Sequence, residues 1–425
     1  MGGRLDTRLG ARASTSSGAA RRRRGSGAAL LGPAFVAAIA YVDPGNVAAN
    51  LTAGAQYGYL LLWVLVAANL MAMLVQFLSA KLGLVTGRSL PEVLGDRMRP
   101  WPRRLFWLQA ELVAAATDVA EVIGGALALY LLFGVPLPLG GVIVGVVSMV
   151  LLSLQSRRGQ RTFEFVVMGL LAIITFGFLA GLFFSELDPA AMFAGLTPRF
   201  EGTQTVLLAA SMLGATVMPH AVYLHSALAR DRHGHRNDAP RLRLLLRATR
   251  WDVALSLVVA GGVNVAMLLL AAASLPGVPG TDSIEGAHAA ITSALGPTIG
   301  VIFAVGLLAS GLASTSVGCY AGATIMSGLL RVRIPMLLRR GITLVPALVL
   351  LAVGVDPTWA LVLSQVLLSF GLPFALIPLA RLTERADVMG EFRNGPALRC
   401  ATWLVVGLIV ALNILLIALI LTGRA

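Results

Sequence analysis

Charge is scarce in this sequence: Asp, Glu, Lys and Arg make up 12% of its 425 residues. A soluble globular chain carries about a quarter charged residues, so this composition excludes an ordinary water-soluble domain. Cysteine is nearly missing too. Cys319 and Cys400 are the only two, which gives no disulfide framework and no zinc spacing. Lysine is reduced to Lys81 alone among 33 basic residues, and the arginine bias points to a GC-rich coding genome. Also absent are a His-Glu-x-x-His helix, a Gly-x-Ser-x-Gly elbow and a phosphate-binding glycine loop. These absences count against a membrane-embedded enzyme such as a metalloprotease, and against a nucleotide-driven pump unless a separate subunit supplies the nucleotide site.

What is abundant is apolar sequence, at 57% of residues. A bilayer core of about 30 Å needs about 20 apolar residues per helix. Eleven runs fit that ruler: 29–52, 59–84, 104–132, 139–155, 163–185, 203–229, 251–274, 298–330, 336–354, 357–380 and 398–422. The expected fold class is an all-α integral membrane protein of about 11 spans. Residues 1–28, rich in Arg, Ser, Gly and Ala, are expected to be disordered. They are not read as a cleaved signal peptide, because the following apolar run continues past a polar break.

The net charge of +13 does not mark a nucleic-acid partner, since the basic residues punctuate the apolar runs. With the N-terminus inside, the inner connections hold 31 of the 33 basic residues, and only Arg199 and Arg424 fall outside. The positive-inside rule therefore places the N-terminus in the cytoplasm and the C-terminus outside. The arginines are an orientation signal and a contact for anionic lipid.

Two runs are interrupted at mid-depth. The first reads Ala40-Tyr41-Val42-Asp43-Pro44-Gly45-Asn46, the sixth Ala215-Thr216-Val217-Met218-Pro219-His220. Proline removes a backbone donor and clashes with the preceding turn, so both helices should unwind. Unwound backbone at that depth is tolerated only where it lines a protein-enclosed site. The breaks open two successive blocks of five spans, and because five is odd the second block is inverted. Paired broken helices in an inverted repeat point to a carrier's midplane site. The expected units are a first repeat at 29–186, a second at 203–381 and an extra helix at 397–422.

Asp43 lies at the first break, where a charge costs roughly 2.5 to 3.5 kcal/mol or more and calls for a cation. Asn46 adds an amide oxygen, the unwound turns expose carbonyls near Ala40 and Ala215, and Met218 adds a thioether. Hard ions such as Mg²⁺ and Ca²⁺ take oxygen ligands alone, whereas a mixed oxygen and sulfur set favours Mn²⁺ and Fe²⁺. The bland alternatives are a helix cap for Asp43 and gap filling for Met218. Further on, Asp118 and Glu121 are spaced i, i+3 on one face of the third span, as relay stations for protons or as structural polar glue.

Asp43-Pro44-Gly45-Asn46 with Met218-Pro219-His220 resembles the signature of the natural resistance-associated macrophage protein (Nramp) family, which includes bacterial manganese transport proteins. The resemblance runs from about 29 to 422 and continues in Thr117-Asp118-Val119-Ala120-Glu121, Asn264-Val265-Ala266-Met267-Leu268, Ala313-Ser314-Thr315 with Ala321-Gly322, and Ser364-Gln365. It implies an amino-acid-transporter-like fold of two inverted five-helix repeats plus an extra helix, in a bacterial cytoplasmic membrane. It implies import of Mn²⁺, Fe²⁺ and related ions with protons by alternating access, with the metal as substrate and no cofactor, enzyme activity or obligate protein partner. The implied ligands are Asp43, Asn46 and Met218, the carbonyl of Ala40 or Ala215, and Gln365 on occlusion. The implied proton pathway comprises Asp118, Glu121, His220, His225 and Arg340, with Arg339 beside it. Glu111 matches an inner gate and would pair with a loop arginine such as Arg232. Two departures, Ala221 where asparagine is common and Ala323 where glutamine is common, remove no direct ligand.

The competing reading within transport is a solute or amino-acid carrier on the same fold, which the acidic centre disfavours, since a substrate carboxylate would prefer exposed amides. Other polar signals have sufficient structural explanations. Asn264 and Asn413 read as amides bonding between helices, Asp231-Arg232-His233-Gly234-His235 as a solvated loop without metal spacing, and Asn50-Leu51-Thr52 as a chance glycosylation sequon.

Overall fold

The computed structural model describes residues 32–158, 160–234, 238–281, 283–332 and 334–422. The segment 1–28, expected to be disordered, lies outside the described residues, as does His235. Among the described residues the chain is helical and contains no strand. In chain order the helices are α1 (Pro33–Ala38), α2 (Pro44–Tyr57), α3 (Leu62–Thr86), α4 (Leu90–Arg97), α5 (Pro100–Phe133), α6 (Leu137–Arg158), α7 (Gln160–Leu182) and α8 (Pro189–Ala194). They continue with α9 (Thr203–Thr216), α10 (Pro219–His233), α11 (Ala239–Ser274), α12 (Ile284–Leu295), α13 (Pro297–Leu329), α14 (Met336–Val353), α15 (Pro357–Glu384), α16 (Ala386–Met389) and α17 (Pro396–Leu421).

Proline starts many of these helices at a position whose N–H would be unpaired anyway, as at Pro44, Pro219 and Pro357. Gly134, at φ 67°, closes the long α5 in a left-handed turn. The short α4 is fixed by a capping box, with Ser89 as N-cap and Glu92 accepting from the Ser89 N–H at 2.7 Å.

Within the described residues every expected apolar run falls on helix or on a break between two helices. Among the described residues eight helical segments are long and apolar enough to cross a membrane. The expected runs at 29–52 and 203–229 fall on interrupted helices, and that at 336–354 on the 18-residue α14. Large apolar side chains lie exposed around the bundle, among them Phe165, Phe176, Phe183 and Val353. Such a surface is untenable in water and natural in lipid.

Packing repeats between the two halves. α3 packs on α9 and α10, as α11 packs on α2 and α1. α5 and α13, the third spans of the two blocks, pack on each other. The interrupted pairs α1–α2 and α9–α10 thus sit at equivalent places in the bundle, in contact with each other and with α15.

Candidate functional site

The two breaks share one cause. In an α-helix the carbonyl of residue i accepts from the N–H of residue i+4. For Ala40 that residue is Pro44, and for Ala215 it is Pro219, so neither carbonyl has its helical donor. Between α1 and α2, Ile39–Val42 tightens into a 3-10 turn and Asp43 is extended, at φ −73° and ψ 167°. The loosened carbonyls find partners on neighbouring spans. Asn264 donates to Tyr41 O at 2.8 Å, and Ser310 donates to Val42 O at 2.5 Å.

Asp43 caps α2: its Oδ1 accepts from the Asn46 backbone N at 2.8 Å and from Asn46 Nδ2 at 3.0 Å. Asn46 Nδ2 also donates to the Ala215 carbonyl at 2.9 Å, which ties the first break to the second. Gln365 on α15 donates through Nε2 to Asp43 Oδ2 at 3.2 Å. A Cβ on Gly45 would overlap the Gln365 side chain, so glycine there is what lets Gln365 reach the carboxylate. Asp43, Asn46, Gln365, Met218 and Ala215 are fully buried, and Ala40 is 1% exposed. Two amide oxygens in this cluster, Asn46 Oδ1 and Gln365 Oε1, are buried without a hydrogen-bond partner. Buried polar atoms are normally satisfied, so these oxygens, beside a carboxylate, are acceptors awaiting a donor or a cation. Met218, N-cap of α10, and Ala40 flank the cluster on the two unwound turns.

A second polar layer joins α5, α13 and α14. Asp118 Oδ1 lies 3.5 Å from Arg340 Nη1, and Arg340 Nε donates to Ser148 Oγ at 3.0 Å. Glu121 lies buried in the same layer, with the Ser314 hydroxyl of α13 as its hydrogen-bonding neighbour. A Cβ on Gly318 would stand 3.0 Å from Glu121 Oε1 and 3.4 Å from Asp118 Oδ1, so the bare glycine face of α13 gives the two carboxylates their room. His220 Nδ1 meets Thr117 Oγ1 at 3.3 Å, one residue from Asp118. His225 stands apart from this layer. Its Nδ1 bonds Gln76 Oε1 at 2.7 Å, and Gln76 Nε2 donates to the Tyr41 hydroxyl, a chain that leads back to the first break.

Glu111 Oε1 accepts from Arg339 Nη2 at 2.6 Å, so the partner found for it comes from α14, where the sequence had suggested a loop arginine such as Arg232. Nearby, a cleft of about 270 Å³ is lined by Ser89, Glu92, Arg230, Asp231, Tyr320 and Arg339 among others. Arg230 bridges Glu92 and Asp231, and Tyr320 donates to Asp231 at 3.1 Å. Burial at Glu92 works against its charge, but hydrogen bonding from the Ser89 N–H and the Arg230 guanidinium outweighs it and holds the carboxyl below the usual range. Among the described residues no group of three His, Cys, Asp or Glu side chains forms a metal cluster, and Asp231 is engaged in ion pairing.

Several residues here had not been singled out from sequence. Gln76 carries a signal, an amide inside an apolar run, whereas Ser310 has none. Asn264 was expected only to bond between helices; it does bond Asn50 at 3.2 Å, but it also holds the unwound Tyr41 carbonyl. Asn50 is buried in that contact, which excludes it as a glycosylation site. Asn413 bonds Ser369 across α15 and α17.

Two interrupted helices crossing at a buried polar cluster, within an all-helical bundle whose two halves pack alike, define a membrane carrier of the broken-helix type. The chain belongs to the natural resistance-associated macrophage protein-like family, whose profile matches residues 34–419. A divalent metal cation transporter of Mycobacterium tuberculosis is 63% identical over 394 residues, covering 93% of this chain and 92% of that protein. One from Bacillus subtilis is 46% identical over 391 residues, covering 91% of each. A crystal structure of the Eremococcus coleocola manganese transporter superposes with a TM-score of 0.83 at 33% identity, covering 91% of this chain and 85% of that one. MhsT, in complex with L-phenylalanine, shares the fold alone, with a TM-score of 0.62 at 12% identity.

Proposed function

We propose that this protein is a secondary transporter that carries divalent transition-metal ions, Mn²⁺ and Fe²⁺ foremost, across the cytoplasmic membrane together with protons. The observation that carries the reading is the buried cluster of Asp43, Asn46 and Gln365, in which two amide oxygens lack donors beside a carboxylate. Asp43, Asn46 and Met218 would bind the ion, with the Ala40 or Ala215 carbonyl and Gln365 completing the shell in different states. The thioether of Met218 favours softer ions over Ca²⁺ and Mg²⁺. The names of the relatives, divalent metal cation transporters and a manganese transporter, support the substrate class.

The layer of Asp118, Glu121, His220 and Arg340 would accept and pass protons, with His225 on the separate branch through Gln76, and Glu111 with Arg339 would form an inner gate. Buried carboxylates with few hydrogen-bond donors, beside a buried guanidinium, are suited to exchange protons. The distribution of arginine supports a cytoplasmic N-terminus, and the packing of the two halves supports repeats at 29–186 and 203–381 with an extra helix at 397–422.

Purified protein in liposomes, given Mn²⁺ outside under an inward proton gradient, should take up the ion, and dissipating the gradient should slow uptake. Asp43→Ala should abolish it. Uptake by Asp43→Ala at the wild-type rate would refute the site.

A further inference from the structure

The first half-helix depends on its neighbours. α1 spans six residues, Pro33–Ala38, and a helix of that length is not stable by itself. Extended Asp43 and the 3-10 turn separate it from α2, so no continuous hydrogen-bond ladder passes its position on. Gly32, its N-cap, has no side chain with which to satisfy the first N–H groups. Asp252 of α11 does this instead. Its Oδ1 accepts from the Gly32 N–H and its Oδ2 from the Ala34 N–H, each at 3.0 Å, and the side chain is 2% exposed. A carboxylate facing a helix N-terminus is also favoured by the partial positive charge there.

The other end of the segment is held by the same neighbour. Asn264, twelve residues further along α11, donates to the Tyr41 carbonyl. Twelve residues of helix span about 18 Å, so one rigid helix grips the segment below and above. The Ala40 carbonyl, left without its helical donor by Pro44, lies between the two grips. By contrast α2 carries its own cap in Asp43 and needs no such help.

We propose that Asp252 is a positioning residue for the buried site: it seats α1 on α11 and thereby aims the Ala40 carbonyl. This rests on the transport reading for its functional consequence, though not for its structural one. Without the carboxylate the Gly32 and Ala34 amides must turn to water, α1 loosens, and the Ala40 oxygen is no longer held at one place relative to Asp43. Asn264 remains as the pivot, so the motion is concentrated at the N-terminal end of α1.

The test compares wild type, Asp252→Asn and Asp252→Ala in lipid nanodiscs by hydrogen–deuterium exchange, with Mn²⁺ uptake in liposomes alongside. A hydrogen bond to a charged group, once lost, should raise local exchange at 33–42 by about tenfold or more in Asp252→Ala, with α2 and α13 within about twofold of wild type. Asp252→Asn keeps one acceptor oxygen and should fall between. In uptake, the half-saturating Mn²⁺ concentration should rise by about tenfold in Asp252→Ala while the maximal rate changes by less than about threefold, because a ligand is misplaced and the carrier still folds. Unchanged exchange at 33–42, or an equal rise everywhere, would overturn the proposal, as would a fall in maximal rate at unchanged half-saturation. Should wild-type liposomes take up no Mn²⁺, the transport reading fails, while the exchange experiment still decides whether Asp252 seats α1.

Discussion

The side-chain amide of Asn46 donates to the backbone carbonyl of Ala215 at 2.9 Å, a bond between the two interrupted helices that exists because Pro219 offers that carbonyl no N–H. The proline of the second break therefore sets the hydrogen bonding of an amide 169 residues before the carbonyl it frees.

Pro219→Ala returns a donor that can reclaim the Ala215 carbonyl for the helix. A hydrogen bond is worth about 1 kcal/mol net, so competition with Asn46 should weaken Mn²⁺ binding roughly fivefold. Isothermal titration of the purified protein reads this directly. Affinity equal to or above wild type would mean that the freed carbonyl has no part in the site.

Met218→Ala removes the soft donor and keeps every oxygen. Uptake of Mn²⁺ should persist at reduced affinity, while competition by Ca²⁺ should strengthen by about tenfold, since outer-sphere losses alone cost metal sites 10- to 100-fold. Competition curves in liposomes decide it; a variant as selective as wild type removes the thioether from the ligand set.

Gly318→Ala places a methyl group about 3.0 Å from Glu121 Oε1 and 3.4 Å from Asp118 Oδ1. Overpacking of this kind costs about 1 to 3 kcal/mol, and here it displaces the two carboxylates. The stimulation of uptake by external acid should shrink several-fold, with equilibrium Mn²⁺ affinity little changed. If the proton dependence matches wild type, the Asp118–Glu121 layer is structural.

Glu92 bridges the capping box of α4 to Arg230 on α10, and its carboxyl is held below the ordinary glutamate range despite burial. A depressed folded value means that its stabilising contribution is complete above the ordinary glutamate range. It is lost as pH falls through the lowered folded value. Glu92→Gln should therefore lower the melting temperature at neutral pH by a few degrees, and the difference from wild type should vanish on acidification. A pH-independent difference would assign the effect to packing.

The sequence announced the site best where it broke a pattern. Asp43, Pro44 and Asn46 stand out because they set a charge, a proline and an amide side by side in the middle of the first apolar run, and Pro219 beside Met218 breaks the sixth run at the matching depth. The partners of that site were harder to find. Ser310 is one hydroxyl among many, and Asp252 sits at the edge of an arginine-rich connection where an acidic residue draws no notice. Glu111 and Arg339 are 228 residues apart, and no periodicity links them. The fold shows the same division. The apolar runs marked the spans, but the ruler of about 20 residues could not register α4, α8, α12 and α16, which are too short or too polar. Nor did it foresee that α11 begins at Ala239, twelve residues before its apolar run, because a helix need not end where the lipid does.

The carboxylate at the first break is never idle. Asp43 already serves as the lid on the α2 helix end, engaged by the Asn46 backbone and side chain and by Gln365. On the proposed reading a cation takes the place of those amide donors at the carboxylate, so capture is an exchange of one set of bonds for another. Departure is the same exchange run backwards, with the protein's own amides ready to refill the vacated oxygen. Such an exchange leaves neither the loaded nor the empty carboxylate without partners, which is what a carrier that must let go on every cycle requires.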